Sequence, residues 1–392
     1  MEKSIKSYLK HSAKDFISRS VNPPVVRAST ILFKTMQELR KHQKDIAKKK
    51  DVDHWDYGRQ GTQTTVQLQR LLRKMEGAYQ VFLTPTGFSA VALSIMSLCR
   101  PGDEIVISDG VDRPTQKLTD ELLKEFNVKA IWYNPNSFLD LKSKITKKTK
   151  LIYVENPGSN TFEMQDLGKV ISLAKRKKIY TAIDNTWATA YFFKPLKLGF
   201  DISITSATKY YSGHSDVMGG TVAVNKKVYK KVWWYNHVSG YRLSPDDAYL
   251  IIRGLRTLDL RMDKHQENTK KIINFLRNQK KVHKILYPYK TSSKEYKLWK
   301  KYYSGASGLV SIIIKSKSRN SVYRFVNNLE LFGIGYSWGG FESLAVYTDP
   351  IELGRRPYFK LNKNEHLVRL HIGLEDPKDL INDLKKSLKF VK

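Results

Sequence analysis

The chain has 392 residues, 41% hydrophobic and 27% charged, which is the make-up of a globular protein long enough for a sizeable core and two or three domains. No run of 18 apolar residues occurs, so no membrane-spanning helix is expected, and the polar start Met1-Glu2-Lys3-Ser4 leads into no apolar stretch of the kind a secretory signal carries. One cysteine, Cys99, excludes an intrachain disulfide framework and a cysteine-built zinc site and fits a reducing cytoplasm, while 69 basic against 37 acidic side chains give a net charge of +32.

That charge invites a nucleic-acid or membrane-surface reading. The basic runs are short, as in Lys48-Lys49-Lys50 and Lys175-Arg176-Lys177-Lys178, and sit at the polar ends of periodic segments. No zinc-finger spacing, RNA-recognition signature or basic heptad accompanies them. They read as solvated faces that keep the protein soluble and attract anionic substrates, with no nucleic-acid or membrane partner expected.

Residues 1–60 are polar and irregular, with Pro23-Pro24 breaking any early helix. Such an arm is too poor in apolar positions to fold alone and is expected to wrap a neighbouring subunit. Residues 61–255 alternate short β-rich runs with helical periods. The candidate strands are 78–83, 104–108, 129–133, 151–155, 180–184, 202–206 and 221–225. Several are near-continuous apolar runs, as strands covered on both faces require. In the helical segment 165–178, Leu167, Val170, Ile171 and Ala174 recur on one face. This alternation predicts an α/β fold with a mostly parallel sheet between helices. Residues 256–392 read as a smaller C-terminal α+β domain, opened by a long charged helix over 256–279 and continued by a strand at 309–314.

The chemistry concentrates in Asp184-Asn185-Thr186-Trp187 and, 25 residues beyond Asp184, in Ser206-Ala207-Thr208-Lys209-Tyr210. Asp184 ends an apolar strand, where open α/β sheets place their ligands. Lys209 follows another such strand; a lysine there loses its proton more readily and becomes a nucleophile. Ser206 and Thr208 offer hydroxyls suited to a phosphate. A lysine, a carboxylate and phosphate-binding hydroxyls are the parts that pyridoxal 5'-phosphate requires. Taken singly, Lys209 reads as a surface lysine and Asp184 as a helix cap.

Together with further motifs they resemble the Cys/Met-metabolism branch of the fold-type I pyridoxal-phosphate enzymes. The motifs are Tyr57-Gly58-Arg59-Gln60-Gly61, Glu155-Asn156-Pro157-Gly158-Ser159, Gly213-His214-Ser215-Asp216, Arg253-Gly254-Leu255-Arg256, Tyr336-Ser337-Trp338-Gly339-Gly340 and Arg369-Leu370-His371-Ile372-Gly373. The resemblance covers nearly the whole chain. It implies that Lys209 holds the cofactor and shuttles protons and that Asp184 pairs with the pyridine nitrogen. It assigns the phosphate to the N–H groups of Gly87 and Phe88, to Ser206 and Thr208, and to Tyr57 and Arg59 of a neighbouring subunit. Arg369 is expected to grip the substrate α-carboxylate, with Ser337, Trp338 and Ser159 lining that side. A homo-oligomer, a dimer of dimers with shared active sites, follows from the same resemblance.

The implied activity is cleavage of a carbon–sulfur bond at Cβ, with cystathionine as substrate, in methionine biosynthesis. The sequence departs from the family at Val111-Asp112-Arg113-Pro114, where Asp112 takes the place of a tyrosine that stacks on the cofactor. Asp56 replaces an aromatic residue, Lys117 an acidic one and His237 a tyrosine. Asp112 supplies a different acid or base, which motivates a second expectation, racemisation of alanine or glutamate. A non-catalytic nucleic-acid-binding protein is the third reading, carried by the +32 charge alone.

Overall fold

In the computed structural model, residues 4–11, 19–47, 56–289, 294–351, 353–354 and 356–392 are described, and the basic run Lys48-Lys49-Lys50 lies outside them. Seven strands form the larger sheet: β1 (Gln80–Thr84), β2 (Glu104–Ser108), β3 (Lys129–Tyr133), β4 (Thr149–Glu155), β5 (Tyr180–Asp184), β6 (Ile202–Ser206) and β7 (Gly220–Val224). Their spatial order is β1-β7-β6-β5-β4-β2-β3. From β6 to β3 neighbours run parallel; β7 runs antiparallel to both β1 and β6.

Apolar side chains pack on both faces of this sheet. On β4, Ile152 and Val154 enter one core cluster and Leu151 and Tyr153 the other. Two-sided burial explains the near-continuous apolar runs in the central strands, where β6 and β7 are buried along almost their whole length. The helix Gly87–Leu98 leaves β1 through Thr86, whose Oγ1 accepts the Ser89 N–H (3.0 Å) while Ser89 Oγ accepts the Thr86 N–H (3.0 Å). This reciprocal cap fixes where the helix begins.

The second sheet holds β8 (Val282–Leu286), β9 (Leu309–Lys315), β10 (Leu344–Thr348) and β11 (Glu365–His371), antiparallel throughout in the order β10-β11-β9-β8. The helices Leu258–Leu276 and Pro377–Ser387 pack against each other beside it. Among the described residues no helix is long and apolar enough to cross a membrane.

Two expectations change. The long helix expected over 256–279 is Leu258–Leu276, because Thr257 (φ −113°, ψ 9°) breaks it from a separate helix, Pro245–Arg256. Thr257 Oγ1 accepts from Arg261 Nε (3.1 Å), and Arg261 also donates to the Gly254 and Tyr210 carbonyls, so the junction is held by hydrogen bonds that a continuous helix would not leave available. The arm is also less irregular than its composition suggests. It contains the helices Ile5–His11 and Met36–Ala47, and the first docks on its own chain: Leu9 is fully buried, Arg256 Nη1 donates to the Leu9 and Lys10 carbonyls, and Lys10 pairs with Asp259 at 2.5 Å.

Candidate active site

Four ionisable groups stand in a row at the carboxyl ends of adjacent parallel strands, where sheets of this kind bind ligands. Lys209 lies just past β6, Asp184 ends β5, Glu155 ends β4, and Asp112 lies four residues past β2. Glu155 and Asp184 are register partners, so their side chains share one face of the sheet. All four line one cavity of about 890 Å³.

Local backbone geometry aims each of them. Behind Lys209, its own N–H donates to the Ser206 carbonyl (3.1 Å) and its carbonyl accepts from Gly213 (2.8 Å), making a tight turn off β6. Lys209 Nζ donates to Ser337 Oγ at 2.5 Å and lies 5.4 Å from the centre of the Trp338 ring. Asp184 Oδ1 accepts the Thr186 N–H (2.8 Å), and Thr186 Oγ1 in turn accepts the Ser206 N–H (2.9 Å), tying β5 to the turn that carries Lys209. Asp112 caps the short helix Arg113–Lys117 by accepting the Thr115 N–H (3.0 Å), while its own N–H donates to Glu155 Oε2 (2.8 Å).

Crowding sets the protonation states. Each group opens only into the cavity and is otherwise enclosed by protein. Burial pushes Lys209 down to about 8; the Arg369 guanidinium adds to this, and Asp112 and Asp184 oppose it. Burial raises Asp184 to about 6, against the Thr186 hydrogen bond. Asp112 is raised by burial, and Glu155 is raised well above the usual carboxylate range by burial and the two neighbouring carboxyls. The row therefore holds a lysine that gives up its proton more readily than a free one and carboxyls that burial makes harder to ionise.

The far wall comes from the second sheet. Arg369 on β11 donates to the Ser337 carbonyl (3.2 Å), and Ser337 sits at φ 80°, a left-handed conformation rare for a residue with a side chain. His371 pins this loop at two points: Nε2 accepts the Gly339 N–H (3.0 Å) and Nδ1 lies 2.9 Å from the Glu342 carbonyl. Gly339 (φ 90°) packs so close to Lys209 that a Cβ would lie 3.0 Å from its Cα.

Of the residues singled out in the sequence, the cavity brings together Lys209, Asp184, Ser206, Thr208, Gly87 and Phe88 on the side of the larger sheet. Asp112, Ser159, Ser337, Trp338 and Arg369 complete it. Tyr57 and Arg59 lie outside. Tyr57 is 47% exposed, the Arg59 guanidinium lies 6.0 Å from its ring centre, and Arg59 Nη1 donates to the His237 carbonyl (3.2 Å). His237, expected in the distal pocket, is likewise outside this chain's cavity and stacks on Trp233 at 4.9 Å.

Two contributors are given no role by the sequence. Glu155 forms the floor beside Asp184, and the same signal, a carboxylate ending an apolar strand, marks it. Arg356 is buried and gathers two site loops: it donates to the Ser159 (2.6 Å), Val111 (3.2 Å) and Gly110 (3.3 Å) carbonyls, to Thr161 Oγ1 (2.8 Å) and to Glu163 (3.3 Å). Nothing in its neighbourhood of the sequence distinguishes it from the other basic residues.

The donor set suits pyridoxal phosphate. The first N–H groups of the helix at Gly87 and Phe88 have no intrahelical acceptor and favour an anion. Beside them, a Cβ on Gly87 would lie 2.4 Å from Ser206 Oγ, so glycine alone leaves backbone and hydroxyl facing one space. A lysine of depressed basicity and a carboxylate at the neighbouring strand end are the groups that would supply the remaining contacts.

Comparisons with known proteins agree. The family model of Cys/Met metabolism PLP-dependent enzymes matches residues 7–389. The chain is 36% identical to cystathionine β-lyase of Bordetella avium, over 94% of this chain and 92% of that one. It is 33% identical to the L-alanine/L-glutamate racemase of Wolbachia pipientis wMel, over 94% and 92%. The crystal structure of cystathionine γ-synthase from Xanthomonas oryzae pv. oryzae superimposes with a TM-score of 0.89 at 27% identity, covering 100% of this chain and 99% of that one. With its fold, its strand-end lysine and carboxylate and its full-length match in accord, the chain belongs to the Cys/Met-metabolism family of pyridoxal-phosphate-dependent enzymes.

Proposed function

We propose that the protein is a carbon–sulfur lyase that splits L-cystathionine at Cβ, giving homocysteine, pyruvate and ammonia. The observation that carries this is the convergence of Lys209, Asp184 and Arg369 on one cavity; similarity to proteins named cystathionine β-lyase supports the substrate. When bound, the cofactor draws electrons from the substrate's Cα, which acidifies the Cα proton and lets a group on Cβ depart.

The chain's own residues do the rest. Gly87, Phe88, Ser206 and Thr208 hold the phosphate, and Asp184, ionised, keeps the pyridine nitrogen protonated. Arg369 grips the substrate α-carboxylate as a two-pronged donor, and its charge helps hold Lys209 neutral. The Lys209 amine removes the Cα proton, and Ser337 Oγ, 2.5 Å away, orients that amine. Trp338 and Trp187 cover the cavity wall and exclude water from the reacting carbon. Tyr57 and Arg59, outside their own cavity, serve the cavity of a neighbouring subunit, in a dimer of dimers. The chain divides into an arm (1–60), a cofactor-binding domain (61–255) and a small domain (256–392), a reading supported by the seven-stranded sheet within the second and the four-stranded sheet within the third. A reducing cytoplasm suits the lone, buried Cys99.

The test is direct. Purified protein given L-cystathionine is expected to release pyruvate and homocysteine in equal amounts, by a coupled dehydrogenase assay and a thiol assay. Release of neither sinks the lyase reading.

A second reading, racemisation of alanine or glutamate, is favoured by Asp112. It stands at the opposite end of the row from Lys209, so a substrate held over β5 and β4 has an acid or base on each flank. Lys209 removes the Cα proton from one side and Asp112, whose proton burial makes harder to lose, returns one from the other. Asp112→Asn is expected to lower racemisation by roughly 10²-fold, measured by chiral chromatography of alanine and glutamate, and to lower pyruvate release much less. Equal losses in both would remove Asp112 from the proton path.

A further inference from the structure

Arg369 and His371 stand two residues apart on β11 and so share one face of that sheet. Arg369 lines the active-site cavity, and His371 is buried behind its wall. The Gly339 N–H can only donate, so His371 Nε2, 3.0 Å away, is the bare nitrogen of the ring. The ring proton then sits on Nδ1, where the Glu342 carbonyl accepts it at 2.9 Å. An imidazolium would have no acceptor to offer Gly339. Burial holds His371 well below its ordinary basicity, and the His265 ring, 5.2 Å away between centres, adds to this with Arg369 and Lys209.

What the ring fixes is the turn 337–339. Gly339 lies directly on the lysine: a Cβ there would come within 3.0 Å of the Lys209 Cα and 2.9 Å of the Tyr210 nitrogen. On the same turn Ser337 Oγ accepts from Lys209 Nζ at 2.5 Å, and the Ser337 carbonyl accepts from Arg369 Nη2 at 3.2 Å. The Trp338 ring packs on Tyr210 with centres 5.4 Å apart. Ser337 is held at φ 80°, a conformation that persists only where the surroundings enforce it.

We propose that His371 is a positioning residue for Lys209: by accepting the Gly339 N–H it seats the turn 337–339, so that Ser337 Oγ orients the lysine amine. The ring moves no proton itself and acts through Ser337. One strand face thereby sets both the guanidinium that takes the substrate α-carboxylate and the hydroxyl that aims the amine. The inference rests on Lys209 as the cofactor-bearing amine and holds for the lyase and the racemase readings alike.

Two variants divide the bonds of the ring. His371→Gln sets an amide oxygen near the Nε2 position and keeps an acceptor for Gly339, while His371→Asn sets an amide N–H near Nδ1 and keeps only the donor to Glu342. Each loses one of two buried bonds, so a merely structural role predicts equal losses. The expected result is unequal. His371→Asn apoprotein should take up added pyridoxal phosphate on the order of 10- to 100-fold more slowly, read from growth of the visible band, the scale of a misplaced reacting group. With L-cystathionine it should lose a similar factor in kcat with little change in KM. His371→Gln should recover most of both rates. The double variant Ser337→Ala/His371→Asn should be no slower than Ser337→Ala, because the two residues act in one line. Equal losses in Gln and Asn, or a double variant slowed by the product of the singles, overturns the proposal. Should His371→Asn not fold, Gly339→Ala pushes the turn off Lys209 with the imidazole intact. Slow loading in that variant supports the seating of the turn, and loading at the parent rate overturns it. A parent that takes up cofactor but releases no pyruvate sinks the lyase reading alone, and the loading rates still decide the role of His371.

Discussion

Lys209→Ala is expected to leave a protein that stays colourless with added pyridoxal phosphate and loses at least ~10⁴-fold in kcat, since one substitution removes both the attachment point and the general base. Absorbance near the cofactor's visible band and the pyruvate assay measure the two losses together. The unmodified apoprotein adds a pH signature. With Lys209 at about 8, the neutral amine grows about tenfold per pH unit below that value, so the rate of cofactor loading rises with pH and levels off above about 8. A flat profile from pH 6 to 9 would show that burial does not depress this lysine. The same depression bears on stability. The folded value lies below the ordinary 10.5, so the charged amine costs stability throughout the range below 8, and the cost is relieved as pH climbs from 8 toward 10.5. Lys209→Met apoprotein should therefore melt above the unmodified apoprotein at pH 7, with the gap closing by pH 10.5.

Asp184→Asn keeps the shape of the β5 terminus and removes its charge. The expected loss is about 10²–10³ in kcat, the size seen when a single preorganised electrostatic contact to the reacting system is removed. Without the cofactor the effect on stability has the opposite sign. Burial raises Asp184 to about 6, above the ordinary carboxylate value of 3.8, so its ionisation opposes folding as pH rises through that window and the cost is complete above about 6. Asn escapes it. The variant apoprotein should be more stable than the parent at pH 7 and indistinguishable below pH 3.8, by thermal melts across that range. A variant that is both less active and less stable at pH 7 would point to damage of the β5 end. Loss of activity with gain of stability marks a group retained for chemistry.

The parts of the fold that local pattern dictates were legible. The strands at 104–108, 129–133, 180–184 and 202–206 occur as expected, because burial of their central positions leaves short, mostly apolar runs between polar turns. Strands β8, β10 and β11 were not identified. Exposure varies along them, as in β8, where His283 and Lys284 meet solvent and Ile285 and Leu286 do not, so no run of apolar residues announces them. The break at Thr257 was hidden because it depends on Arg261 reaching back to Gly254 and Tyr210, a contact that helical periodicity does not encode.

The cavity was legible to a similar depth. Lys209 and Asp184 are separated by 25 residues but lie at the ends of adjacent strands, so the α/β alternation itself brings them together. Tyr57, Arg59 and His237 are also brought together, but on a surface outside the cavity. A single chain's sequence carries residue identities and no information on which surface faces which. Glu155 stood in the sequence only as part of a motif, with no role of its own, until the strand register set it beside Asp184 and the Asp112 N–H was found to bond it.

The Arg356 guanidinium has an evolutionary consequence. Because one side chain grips the carbonyls of Gly110, Val111 and Ser159, the two loops beside it share a common restraint and are not separate modules. Substitutions around Asp112 and around Ser159 should be epistatic, with double variants departing from the sum of the singles where distant pairs would add. A lineage changing its substrate would then have to alter both loops in step, or first release the clamp.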